Sequence, residues 1–177
     1  MAKNPHIGTS FESFYRSEID TQSAAPQPSL LYDGDFYAWT RHTAALIRQC
    51  HWGAVDTTAV ADEIDSLGAR VLSDFATSLE AIVSSLLLLG LVVTRCPPVL
   101  HTSGRAWRAI VATQRIKVTR LLRDNPSVQQ YRAQAVFDAY VIARIAASAL
   151  LDLEESALPA ECPWTVDQVL AEDFWPE

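Results

Sequence analysis

Hydrophobic residues recur three or four positions apart along most of this chain and seldom alternate one by one with polar residues. This spacing is typical of helices that bury one side, because a helix turns once every 3.6 residues or so. The pattern predicts four main helices, over residues 35–49, 57–93, 104–124 and 126–151. No convincing strand pattern or internal repeat interrupts them. We therefore predict an all-α fold, an up-down bundle of about four main helices with short N- and C-terminal helices.

Capping residues and a proline predict where the main helices begin. Asp33 precedes the first helix and Asp56 or Thr57 precedes the second, and their side-chain oxygens can accept from the first backbone N–H groups. Asn125 can cap the fourth helix, and Pro126 fits its first position because a proline there loses no helical hydrogen bond.

Two capping boxes predict short helices near the ends of the chain, because Thr9 is followed by Glu12 and Thr165 by Gln168. After the first of these helices, the stretch "TQSAAPQPS" has the composition of a linker. The predicted domains are an N-terminal arm over residues 1–30 and a single helical domain over residues 31–177.

The third and fourth helices each have a candidate buried side. In the third helix the stripe consists of Trp107, Ile110, Val111, Gln114, Val118, Leu121 and Leu122. In the fourth it consists of Val128, Tyr131, Ala135, Phe137 or Asp138, Val141, Ile142, Ile145 and Leu150. The second helix contains the apolar run "AIVSSLLLLGLVV", which is shorter than the roughly 20 residues that cross a bilayer. We expect that run to be buried in the centre of the bundle.

The second helix also carries a dense group of acids in "VADEIDSLGAR". At about 100° per residue, Asp62 and Asp65 point away from the apolar side, whereas Glu63 lies on its flank. The carboxylates therefore do not converge as a metal or acid/base site requires. We predict no metal, no cofactor and no catalytic residue, and lean against an enzyme.

Charge is unevenly distributed. The chain has 14 basic and 21 acidic residues, for a net charge of −7, which disfavours binding to nucleic acid or anionic membranes as a whole. The third helix nevertheless contains six of the basic residues: Arg105, Arg108, Arg115, Lys117, Arg120 and Arg123.

Two interpretations of these arginines are open. Arg108 and Arg115 flank the buried stripe, so one of them can pair with Glu63, and the polar Gln114 then needs a partner in the core. We predict a structural polar network of Glu63, Arg108, Arg115 and Gln114. As the alternative, Arg105, Arg120 and Arg123 form an anion-binding face on the far side, suited to nucleic acid.

Three cysteines, Cys50, Cys96 and Cys162, are scattered without metal-ligand spacing. We interpret them as free thiols in a reducing cytoplasm, since the first thirty residues also lack the features of a signal peptide.

Five motifs, in this order, resemble a bacterial family, the domain of unknown function family numbered 29. They are "DFYAWT", "ADEIDSLG", "AWRAIVATQR", "DNPSV" and "ECPWTVDQVLAEDFWPE". The resemblance covers roughly residues 31–177 and leaves out the N-terminal arm. It implies a small all-helical cytoplasmic protein, common in cyanobacteria and other bacteria, with no established activity, substrate or cofactor.

The chain departs from the family pattern at one place. Where family members resemble H-L-L-K-W before the proline loop, this chain has apolar residues followed by Thr94, Arg95 and Cys96. This chain therefore cannot use that histidine in a reaction, and the departure favours a structural or binding role.

Our leading hypothesis is a protein-interaction or oligomerisation module. Its predicted partner-docking arm has an apolar face of Phe11, Phe14, Tyr15 and Ile19. The partner is then another protein or a second copy, with no membrane involved. The alternatives are a nucleic-acid-associated regulator that uses the arginine-rich third helix, and a small-ligand binder or enzyme.

Overall fold

The structure, a computed structural model, describes the backbone of residues 28–95 and 101–176 and the side chains of residues 31–91 and 104–176. Six α-helices occur in these ranges: α1, Pro28–Gly34; α2, Phe36–Arg48; α3, Thr57–Arg95; α4, His101–Asp124; α5, Arg132–Leu151; and α6, Val166–Leu170. Short 3₁₀ helices cover Trp52–Ala54, Pro126–Tyr131 and Glu155–Ala157. No strand occurs in the described ranges, so the all-α prediction is confirmed.

The chain divides into two compact units, Met1–Asp62 and Glu63–Glu177. The first unit contains α1, α2 and the first turn of α3. In this unit the rings of Tyr32, Phe36 and Trp39 pack together, with centroids 4.8 to 6.2 Å apart. The boundary predicted near residue 30 stays a prediction, because residues 1–27 lie outside the described part.

Three of the predicted helix starts can be compared with the structure. Asp35, rather than Asp33, caps α2 by accepting from the backbone N–H of Ala38 at 2.9 Å. Asp56 accepts from Ala59 N–H at 3.0 Å at the start of α3, as predicted. Asn125 instead donates to the carbonyl of Leu121 at the end of α4, and the chain continues as a 3₁₀ turn before α5.

The second unit is built around α3, α4 and α5. Helix α3 is 39 residues long, and the described part of its apolar run, residues 81–91, is buried or half-buried as predicted, with Ile82, Val83 and Leu86 fully enclosed. A Cβ added to Gly104 would lie 3.7 Å from Leu89 Cδ2, so the start of α4 packs closely on the later part of α3.

The buried side of α4 differs from the predicted stripe by a rotation of about 50°. Val111, Val118 and Leu122 are buried as expected, but Arg115 is buried among them, whereas Ile110 is 40% exposed. Gln114, expected in the core, is half-buried.

The predicted stripe of the fourth helix is mostly on the wrong side. The buried residues of α5 are Val136, Ala139, Tyr140, Ala143 and Ala147. Phe137, Val141, Ile142 and Ile145 are exposed. Helix α5 has apolar residues on all of its sides, so their spacing cannot identify the packed side. Its small alanines allow a closer approach of neighbouring elements.

Candidate functional site

Arg115, at the middle of α4, is the most deeply buried charged side chain among the described residues, with 2% of its surface exposed. Its guanidinium donates to four backbone carbonyls of the C-terminal segment. The acceptors are Val169 O at 2.9 Å from Nε, Phe174 O at 3.0 Å and Glu172 O at 3.4 Å from Nη1, and Gln168 O at 3.4 Å from Nη2. One side chain thus holds seven residues of chain in place.

The end of helix α6 explains why these acceptors are available. The last carbonyls of a helix have no partner within the helix, and α6 ends at Leu170. The carbonyls of Gln168 and Val169 lie in that last turn, where they accept from Arg115. The start of α6 is closed by the predicted capping box, in which Thr165 Oγ1 accepts from Gln168 N–H at 3.2 Å and Gln168 Oε1 accepts from Thr165 N–H at 2.9 Å.

Burial lowers the pKa of Arg115, while the nearby carboxylates of Asp173 and Glu172 raise it. The pKa of a free guanidinium lies far above neutral pH, so the site keeps its positive charge. Trp175 lies against this charge, with its ring centroid 5.2 Å from Arg115 Cζ and 4.7 Å from Arg108 Cζ. An aromatic face attracts cations at such distances, so the ring stabilises the positive charge of both arginines.

Helix α5 holds the earlier part of the same segment. The hydroxyl of Tyr140 donates to Pro159 O at 2.9 Å. Arg144 donates to Glu155 O at 3.0 Å and to Ala160 O at 3.4 Å. In these hydrogen bonds the segment from residue 155 to residue 174 therefore uses its own backbone carbonyls as acceptors.

An open cleft of about 800 Å³ lies between this segment and α3. Its walls are mostly apolar, and they include Trp164, Phe174, Pro163 and Leu87, with the polar side chains of Gln168 and Asp173. The segment also approaches α3 closely, since a Cβ on Gly90 would lie 3.4 Å from Pro176 Cβ.

The predicted polar network is rearranged around Arg115. Four backbone carbonyls accept from Arg115, in addition to any carboxylate partner, and pairing of Glu63 with Arg115 stays a prediction. Glu63 is half-buried and has an interaction of its own. Pairing of Glu63 with Arg108 stays a prediction. Sequence reasoning placed Arg115 at the edge of the buried side but could not identify acceptors that belong to the main chain.

The alternative anion-binding face is exposed. Arg105, Arg120 and Arg123 all reach solvent from α4. Arg123 Nε lies 2.8 Å from Asp124 Oδ1, which partly neutralises it. Asp62 and Asp65 are also exposed, and no group of three or more His, Cys, Asp or Glu side chains in the described ranges could hold a metal ion. The docking arm of Phe11, Phe14, Tyr15 and Ile19 lies outside the described residues.

The outer side of α5 presents a row of large apolar side chains. Phe137 is 56% exposed, Val141 43%, Ile142 46% and Ile145 53%. On α3, Ile64 and Leu67 are also exposed, although they lie on the same side of the helix as the buried Phe75. Sequence reasoning included Val141, Ile142 and Ile145, with Phe137 as one of two alternatives, in an apolar stripe but assigned that stripe to the core.

Two helical stretches, Thr57–Leu91 and Pro126–Leu151, are long and apolar enough to cross a membrane on length and composition alone. In their most apolar windows, 39% and 28% of the residues are buried inside the protein. The core helix of a soluble protein passes the same test, so this observation is weak evidence for a membrane.

No curated protein and no solved structure shows significant similarity to the chain. The profile of one family, the domain of unknown function DUF29, matches residues 31–175, which is most of the chain. Both the order of the five motifs and this match lead to the same assignment: the chain belongs to the DUF29 family.

Proposed function

We propose that this protein is a protein-interaction or oligomerisation module, and that the outer side of α5 is its docking surface. The observation that carries the proposal is the row of Phe137, Val141 and Ile145, which are each about half exposed on one side of a helix whose opposite side is already packed. Contiguous exposed apolar side chains of this kind are typical of interaction surfaces.

The amphipathic arm of residues 1–30 is a second candidate contact. Its predicted apolar face, with Phe11 and Phe14 among its residues, can dock in a groove as short helices commonly do. A chain that lacks residues 1–29 tests this part of the proposal, because unchanged oligomeric state and unchanged partner capture would remove the arm from it.

Affinity capture tests the α5 surface. The tagged chain, with and without Phe137→Ser and Ile145→Ser together, would be recovered from a lysate of its own organism. We expect the double variant to lose a stoichiometric protein that the unaltered chain retains at high salt. The matched control is Ile110→Ser with Ile116→Ser, which removes two exposed apolar side chains from α4 instead. Equal capture by both double variants would contradict the proposed surface.

The alternative is a nucleic-acid-associated regulator, favoured by the exposure of Arg105, Arg120 and Arg123 on α4. Binding of this kind must weaken steeply as salt rises, because it releases counterions from phosphates. Retention on DNA or RNA that falls with salt, and falls further in a variant with all three arginines changed to Gln, would favour this alternative. The contact between Arg123 and Asp124 argues against it.

The cleft beside the C-terminal segment favours a further alternative, a small-ligand binder or enzyme. Its size and apolar walls suit a small molecule, and Gln168 and Asp173 supply polar groups. A ligand that raises the melting temperature of the unaltered chain but not of a Trp164→Ala variant would support this function.

The proposal places the protein in the cytoplasm, without a membrane partner. Helix α5 contains Arg132, Asp138 and Arg144, and such residues are costly within the hydrocarbon region of a bilayer. Cell fractionation followed by washing at high pH would test this, because a membrane-spanning chain would remain in the washed pellet.

A further inference from the structure

We infer that the docking surface on α5 binds a second copy of this chain, as an antiparallel pair of α5 helices related by a two-fold axis at Val141. This inference rests on the proposed function and names its partner. Its evidence is the spacing of exposed side chains on α5, the distribution of charge around them, and the groove beside them.

The exposed apolar row is symmetric about its middle residue. Phe137 precedes Val141 by four positions and Ile145 follows it by four, while Gln134 and Ser148 extend the row by three positions in each direction. At about 100° per residue all five lie within about 80° of arc on one side of the helix. In an antiparallel pair centred on Val141, Phe137 of each copy therefore lies opposite Ile145 of the other. Two-fold interfaces require self-complementarity of this kind.

Charges near the row do not oppose this pairing. Asp138 lies on one flank of the row and Arg144 on the other. A two-fold axis places each flank against the same flank of the second copy, so the two Asp138 side chains come to the same side. They are nevertheless displaced along the helix axis by about 9 Å, as are the two Arg144 side chains, and like charges do not meet.

A groove runs along the Asp138 flank of the row, between α3 and α5. It has a volume of about 190 Å³, and Leu72, Phe75 and Ala76 of α3 face Tyr131, Ala135 and Ala139 across it, while Glu80, Gln134 and Asp138 also line it. The symmetry brings Ile142 and Ile145 of the second copy to this flank. An apolar cavity of about 150 Å³ accommodates a benzene ring, so the groove has room for an aliphatic side chain.

The size of the surface predicts a reversible dimer. Helix α5 is 20 residues long. A helix of that length is about 30 Å long and 10 Å wide, so it offers on the order of 300 Å² per copy. Stable interfaces cover about 800 Å² per partner, so the α3 wall of the groove must contribute as well. We therefore expect dimer and monomer to interconvert with concentration.

Sedimentation equilibrium of the full chain tests the inference. We expect the unaltered chain to dimerise reversibly, and Val141→Asp to weaken the dimer by about 100-fold or more, because it places two carboxylates at the two-fold axis. The control is Ala146→Asp, which adds the same charge to an exposed position of the same helix, about 140° from the centre of the row, and should leave the dimer intact. Circular dichroism would verify that each variant is folded.

A complementary pair tests the register. Phe137→Asp and Ile145→Lys should each weaken self-association, and an equimolar mixture of the two variants should recover a heterodimer, since the new carboxylate lies opposite the new ammonium. Recovery by the mixture supports the antiparallel register, and failure of a folded mixture to associate contradicts it.

Two further outcomes separate this inference from the proposed function. A wild-type chain that stays monomeric at about 100 μM overturns the second copy as partner. If the chain is monomeric but the variant with Phe137→Ser and Ile145→Ser fails to capture a protein that the unaltered chain captures, the interaction module is supported with a different partner. If neither dimerisation nor capture depends on α5, both are wrong.

Discussion

Arg115 shows how a charged residue can become part of a core without a carboxylate beside it. Leaving a guanidinium buried and unpaired costs several kcal/mol, so its donors must be satisfied. Four carbonyls of the C-terminal segment accept from them, and the ring of Trp175 lies against the charge. The sequence placed Arg115 at the edge of the buried side of its helix. Its acceptors could not be predicted, because every residue has a backbone carbonyl.

We predict that Arg115→Met lowers the free energy of unfolding by about 3 kcal/mol, because it leaves buried carbonyls without donors. For a chain of this length, that corresponds to a fall of roughly 8 °C in melting temperature. Arg120→Met is the control, since Arg120 is exposed on the same helix, and it should shift stability by less than about 0.5 kcal/mol. Equal melting curves for the two variants would contradict the role of Arg115.

Tyr140 provides a test by pH. Burial is the main cause that raises the pKa of its hydroxyl, with Cys162 acting in the same direction and Arg144 against it. The folded pKa is therefore above the unfolded value of about 10, so the stabilisation from Tyr140 is complete below that pH and is lost as pH rises through the folded pKa.

We predict that Tyr140→Phe costs about 1 kcal/mol near neutral pH, because the hydrogen bond to Pro159 is lost. The difference between the unaltered chain and the variant should shrink above pH 10. Denaturant unfolding across that range would measure it, in a Cys162→Ser background because burial also raises the pKa of the Cys162 thiol. A difference in the free energy of unfolding that grows with pH would show that folding lowers, rather than raises, the pKa of Tyr140.

At the scale of elements, the capping predictions were right at two helix starts and wrong at Asp33 and Asn125. Asp56 and the box of Thr165 with Gln168 act as the sequence indicated, because a cap depends on residues within one turn. The prediction of which side of α5 packs was wrong, because the packed side depends on the neighbouring elements. Alanines such as Ala143 permit a closer approach of those elements than isoleucines do. The path of the segment after α5 could not be predicted, since its attachment uses carbonyls.

Gly90 tests the contact between α3 and the end of that segment. Gly90→Ala places its Cβ 3.4 Å from Pro176, an ordinary contact, and should stabilise the helix by up to about 1 kcal/mol. Gly90→Leu adds further carbons beyond that Cβ, next to Pro176, and should displace the segment, with a loss of about 2 kcal/mol. Melting temperatures of the two variants would show opposite shifts, and similar shifts would mean that the segment does not pack on Gly90.

At the scale of the whole molecule, the buried apolar cluster of the described residues lies entirely between Phe75 and Val169. A core that is complete within the second unit should fold without the first. The same cluster contains Leu158 and Val169, so the C-terminal segment forms part of the core.

We predict that a chain beginning at Asp56 unfolds cooperatively on heating, whereas one that begins there and stops at Ala160 does not. The shorter chain loses Val169, Trp164 and the acceptors of Arg115 together. Calorimetry and circular dichroism would compare the two. A cooperative transition in the shorter chain would show that the three long helices suffice.

The hydrogen bonds of Arg115 also imply that substitutions at the donor and at the acceptor residues have different effects. Since the acceptors are main-chain oxygens, no substitution at Gln168, Val169, Glu172 or Phe174 deletes one of them directly. One codon on α4 can remove all four of these hydrogen bonds, whereas a substitution at an exposed acceptor residue such as Glu172 leaves its carbonyl in place. We therefore expect substitutions at Glu172 to be tolerated more readily than substitutions at Arg115, while the buried Val169 stays constrained by the core.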